Sequence, residues 1–107
     1  MNAEAHDSLV IVFRTTLKPG FDDVLTEMGM RMYLLAKDMP GFLSYKDFSA
    51  ADGENLSLIE FDSEEHLAAW RHHPEHLAAE QAGKEKYFAS YHIQVCKVIR
   101  RYGTDSV

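Results

Sequence analysis

The sequence predicts an α+β fold of the ferredoxin-like βαββαβ kind, a four-stranded antiparallel sheet with two helices on one face. Three observations carry that expectation. Runs rich in β-branched residues near the two ends, SLVIVFRTT and YHIQVCKVIRRY, read as long strands. An Asp-Gly turn signal joins two short apolar segments in the middle, and two stretches with apolar residues three and four apart flank that hairpin. Residues 1–107 make one domain, since a chain this short buries roughly 65% of its unfolded surface around a single core. The ends, 1–7 and 103–107, are expected to fray.

The first strand is expected from Ser8 to Thr16, closed by Lys18, Pro19 and Gly20. Leu9, Ile11 and Phe13 alternate with Val10, Val12 and Arg14, so neither face is convincingly polar. Phe21, Val24 or Leu25, Met28, Met32 and Leu35 then recur at helical spacing, with Asp22 and Asp23 complementing the helix dipole and Met39-Pro40-Gly41 ending the helix. Gly29 interrupts it at a cost of about 1 kcal/mol relative to alanine, which suits close packing or a ligand, packing being the simpler explanation. Residues 42–49 and 55–61 read as antiparallel strands around Asp52-Gly53.

Asp62 or Ser63 is placed to cap the second helix, which carries Leu67 and Trp70 on its inner stripe. Pro74 disfavours helical geometry at His73, so the helix should break there and resume through Leu77 and Ala78. After Gly83, Tyr87 and Phe88 lead into a last strand from Ser90 to Tyr102, again apolar on both parities. Two helices cover one sheet face only. Several Val, Ile, Leu and Phe side chains would stand bare on the other, which implies a homodimer packed sheet to sheet with two-fold symmetry.

Seventeen acidic against eleven basic residues give a formal charge of -6, with no basic run to neutralise phosphates. Nucleic acid and anionic membrane surfaces are therefore not expected partners. No apolar run approaches the ~18 residues of a membrane span, and MNAEAHDS lacks a signal-peptide core, which points to the cytoplasm. The single Cys96 reads as a packed thiol.

Four segments, VIVFRTTLKPG, MPGF, FDSEEHLAAWRHHPEH and YHIQVCKVIRRY, together span nearly the whole chain, and in them it resembles the antibiotic biosynthesis monooxygenase (ABM) family of small dimeric α+β-barrel proteins. That resemblance implies a ligand cavity between sheet and helices in each subunit. It also implies oxygen insertion into electron-rich aromatics, often with neither metal nor flavin. Haem-degrading relatives pair a first-strand asparagine with a tryptophan and a downstream histidine. Here the first-strand position is Phe13 and the residue ten beyond Trp70 is Glu80, so haem degradation becomes a lesser alternative. Many quinol-oxidising relatives carry histidine where this chain has Trp70.

Four of the six histidines, His66, His72, His73 and His76, crowd into eleven positions around Trp70. A neutral histidine suits removal of a phenolic proton, and His73 or His76, flanking the helix break, is the expected base. Tyr91 and Arg14 could hold the developing anion if their strand positions face the helices. Trp70 would wall the substrate ring, with Phe13, Met28 and Met32 as further contacts. Each has a plainer alternative: Trp70 as a core anchor, His73 and His76 as helix caps or surface hydrogen-bonders, Tyr91 as filler, and Arg14 paired with an acid such as Glu60. His66 and His72 read as solvated. No metal site is expected, because Pro74 spoils the helical alignment of His72 with His76 and no cysteine or HExxH pattern supplies further ligands.

The sequence thus suggests a monooxygenase that uses O2 without a cofactor on a small phenol, hydroquinone or anthrone-like ring. A non-catalytic module that binds a hydrophobic metabolite is the alternative.

Overall fold

A computed structural model describes residues 8–104, and of the ends expected to fray, 1–7 and 103–107, residues 1–7 and 105–107 lie outside them. The element order is β1 (Leu9–Leu17), α1 (Asp22–Lys37), β2 (Phe42–Ser49), β3 (Asn55–Phe61), α2 (Glu64–Arg71), α3 (Pro74–Ala82) and β4 (Phe88–Lys97). The sheet order is β2-β3-β1-β4, every neighbouring pair antiparallel, which is the ferredoxin-like arrangement.

The register explains where the core sits. Leu9 faces Phe61 and Ile11 faces Ile59 across β1 and β3, so all four share one side of the sheet. On that side they bury together with Ala36 of α1 and with Leu67 and Trp70 of α2. The opposite side carries Val10, Val12, Leu56 and Leu58, which no helix among the described residues covers and which are only half-buried in the single chain.

Local chemistry sets the helix boundaries. Asp22 and Asp23 occupy the first turn of α1 and Lys37 the last, and Asp38 caps its end. Gly41 then turns at φ +80, where an added Cβ would collide with the side chains of Asp62 and His66. The Ser63 hydroxyl accepts the His66 N–H at 3.2 Å and so caps α2. His73 is extended (φ -61, ψ 137), as the following proline requires, and α3 starts anew at Pro74. The second helical region is therefore two helices rather than one.

Two expectations need correction. The last strand runs Phe88–Lys97 and not Ser90–Tyr102. A register shift between Thr16 and Leu17 recruits Phe88, and the pairing runs to Leu9 opposite Lys97, with the Val98 N–H still donating to the Ser8 carbonyl at 3.0 Å. Between α3 and β4, Gly83–Tyr87 forms a π-helical turn with Gly83 set against the Phe88 ring, too close for any Cβ. Cys96 is exposed on the outer sheet side, not packed. Among the described residues no helix is long and apolar enough to cross a membrane.

Candidate active site

Between the sheet and the helices lies a cavity of about 470 Å3. Its apolar wall includes Phe13 from β1, Met28 and Met32 from α1, and Trp70 from α2; its polar groups include His76 from α3 and Tyr91 from β4. Six of the eight residues singled out in the sequence thus line one space. The size falls within the range of small-molecule sites, and the mix of an apolar wall with a few polar groups is what such sites share.

Trp70 is the hub of the wall. Its ring lies 5.6 Å from Phe61, 6.3 Å edge-on from Tyr45 and 4.4 Å edge-on from His76, centroid to centroid. The indole Nε1 is buried and has no hydrogen-bond partner in the protein. A buried donor left unpaired costs about 1–3 kcal/mol. An acceptor atom on a bound molecule would remove that penalty.

His76 is held by its position in the first turn of α3 and by the Trp70 edge. Burial lowers its pKa below the ordinary histidine value; Glu80 acts in the opposite sense, and Arg71, His72 and His73 reinforce the lowering. A neutral imidazole at neutral pH can accept a proton. Its Nδ1 is buried without a hydrogen bond and lies 3.7 Å from Glu80 Oε2, while Lys84 Nζ binds Glu80 Oε1 at 2.9 Å. Although burial works against it, Lys84 keeps the Glu80 carboxyl below its ordinary range. Lys84 also lies 5.6 Å from the centre of the Tyr91 ring.

Two predicted groups stand elsewhere. Arg14 lies opposite Leu56 and His92 on the outer side of the sheet, where it forms a bidentate pair with Glu54 at 3.0 and 3.1 Å. Strand parity decides this, since Phe13 and Thr15 take the cavity side. The partner is not Glu60, which binds Ser8 and Arg101 instead. His73 caps α3, its Nδ1 accepting the Glu75 N–H at 3.1 Å, and it does not line the cavity. His66, expected to be solvated, is half-buried and pairs with Asp62 at 2.6 Å; His72 is exposed. Among the described residues no three His, Cys, Asp or Glu side chains converge as a metal-binding group.

The sequence reading missed Tyr45, Asp47 and Ser57. A bulge between Phe42 and Ser44 turns both Phe42 and Tyr45 inward, and Asp47 follows two residues on. Burial and the nearby Asp47 push the Tyr45 hydroxyl well above the ordinary phenol range, so it remains neutral, and the Ser57 hydroxyl donates to Asp47 Oδ1 at 2.5 Å. The available signal was the i, i+2 spacing of Tyr45 with Asp47 against Ser57 with Ile59. The i, i+4 spacing of His76, Glu80 and Lys84 was equally available.

A ferredoxin-like sheet whose inner face and helices enclose an aromatic-walled cavity with a buried histidine defines a class of small ligand-cavity α+β proteins. Within that class, the chain belongs to the antibiotic biosynthesis monooxygenase family, whose sequence model matches residues 8–82. It is 37% identical over 90 residues to the uncharacterized protein YqjZ of Bacillus subtilis (strain 168), a match covering 84% of this chain and 79% of that protein. Among solved structures it is similar to Rv0793 from Mycobacterium tuberculosis, with a TM-score of 0.77 and 19% identity over 94% of this chain and 100% of that one. It is also similar to SnoaB, a cofactor-independent oxygenase from Streptomyces nogalater, with a TM-score of 0.75 and 14% identity over 94% and 99% of the two chains. At those identities the structures share the fold, while family membership supports a monooxygenase-type function.

Proposed function

We propose that the protein is a cofactor-independent monooxygenase that oxidises a small electron-rich aromatic, a phenol, hydroquinone or anthrone-like ring, with O2. One observation carries this reading: a largely buried His76, its pKa lowered by burial, set edge-on to Trp70 in the wall of a largely apolar cavity. A closed-shell phenol reacts slowly with triplet oxygen, whereas its anion can donate an electron. The protein therefore has to bind the ring away from water, take its proton and hold the anion beside oxygen.

In this scheme Trp70, Phe13, Met28 and Met32 hold the ring. His76 takes the proton, and the Tyr91 hydroxyl and the unpaired Trp70 N–H donate to the substrate oxygen. For an anthrone-like CH2 group, one oxygen atom becomes the new carbonyl and the other leaves as water with the two hydrogens. The substrate supplies all four electrons, so no external reductant enters. Oxygen uptake with a panel of hydroquinones and anthrones tests the scheme: turnover lost in His76→Ala is expected, and rates no higher than buffer alone across the panel would remove it.

The same reading includes a homodimer joined through the outer sheet side. Val10, Val12, Leu56 and Leu58 are already half-buried, so covering them in each subunit contributes about half of the ~1.5–3 kcal/mol of full burial per side chain, a sum comparable with an association cost of ~4–15 kcal/mol. Sedimentation that gives a single-chain particle at micromolar concentration would rule the dimer out.

A further inference from the structure

We propose that Glu80 is a positioning residue for His76: it fixes the imidazole with its proton on Nδ1, leaves Nε2 as the base, and holds the imidazolium formed when Nε2 takes the substrate proton. The proposal rests on the assignment of His76 as the base. The geometry on which it stands is the line His76, Glu80, Lys84, one helical turn between successive members.

His76 Nδ1 is buried, without a hydrogen bond, and faces Glu80 Oε2 at 3.7 Å. A bare lone pair at Nδ1 would be repelled by that carboxylate, whereas an N–H is attracted to it. The tautomer with the proton on Nδ1 is therefore favoured, and Nε2 is the nitrogen left free. The carboxylate cannot easily turn away, because Lys84 binds its other oxygen at 2.9 Å and its side chain is only 24% exposed. The opposite face of the imidazole's freedom is limited by the Trp70 ring at 4.4 Å.

At 3.7 Å the contact is too long for a hydrogen bond in the ligand-free protein. It would shorten when the ring becomes cationic, as catalytic contacts do in the reacting complex. In that step the substrate O–H bond breaks and an N–H bond forms at Nε2. A phenolate and an imidazolium result, and the imidazolium proton is available to the departing water. Besides Glu80, the charged groups acting on the ring are Arg71 of α2 and His72 and His73 at the helix break, all opposing its protonation. Asp47 of β2, Lys84 of the π-helical turn, and Tyr45 and Tyr91 line the same cavity.

The test combines an NMR titration of His76 with the pH dependence of kcat/KM in the full chain, using Glu80→Gln, Glu80→Asp and His76→Ala. Glu80→Gln keeps the size of the side chain and removes its charge. In this variant the His76 midpoint and the acid limb of kcat/KM are expected to move together to lower pH. Plateau kcat should fall roughly tenfold with KM within about twofold, as for loss of help to a proton transfer. Glu80→Asp, with the charge restored one methylene short, should fall between. An unchanged His76 midpoint and rate profile in Glu80→Gln, alongside an inactive His76→Ala, overturns the role of Glu80 and leaves the base assignment standing. A fully active His76→Ala overturns both.

Discussion

Gly29 separates a packing role from a ligand role in a single position. It sits inside α1 and lines the cavity, and a Cβ built on it meets only Asp47 Oδ2, at 3.7 Å, which is ordinary contact. Close packing against a neighbouring element, the simpler explanation offered by the sequence, is therefore not what the glycine provides. Gly29→Ala removes the backbone entropy cost of glycine in a helix interior, about 1 kcal/mol, without strain. For a domain of this size that raises the melting temperature by about 4–8 °C. Gly29→Leu should be at least as stable as the parent, because its side chain enters empty space, yet it should lower kcat/KM roughly tenfold or more by occupying substrate volume. Thermal unfolding by circular dichroism and oxygen-uptake kinetics measure the two effects on the same samples. A Gly29→Ala protein that melts below the parent would refute the open-wall geometry. A Gly29→Leu protein with parental kcat/KM would refute the cavity as the place of reaction.

Two further outcomes are expected. Because burial lowers the pKa of His76 in the folded chain, the unfolded chain takes up the proton first as pH falls through its ordinary value of 6.5. Stability is then lost with falling pH, by at most ~1.4 kcal/mol per pH unit from this group, until the folded pKa is passed. Urea unfolding of parent and His76→Gln between mildly acid and neutral pH should give curves that converge in acid, and parallel curves would contradict the burial. Arg14→Ala should cost less than about 1 kcal/mol in the same assay and leave kcat/KM within about twofold, since its pair with Glu54 is exposed and lies on the far side of the sheet. A large activity loss in that variant would return Arg14 to the site.

The strand and helix order was legible because each element carries its own local signal. Asp52-Gly53 marks the hairpin, the Asp62-Ser63 pair the α2 cap, which the structure assigns to Ser63, and Pro74 the helix break, and each acts through backbone geometry within a few residues. The candidate site was legible in part for the same reason: the helical stripe of Met28 and Met32 follows from periodicity, whereas alternation along β1 did not say which of Phe13 and Arg14 faces inward. His73 and His76 could not be told apart by spacing alone. They sit three residues apart across a break, and only the fold shows that one caps α3 while the other turns against Trp70.

What the sequence alone determined was the family, the βαββαβ order and the crowding of candidate groups around Trp70, all properties of short-range pattern. What the tertiary structure decided was register and enclosure. The bulge in β2 turned Tyr45 and Asp47 into the cavity, and the parity of β1 carried Arg14 away from it. Each depends on which residue lies opposite which across the sheet. A shift of one position sends a side chain to the other face, and pairing between strands tens of residues apart is settled by the whole packed core rather than by any local stretch.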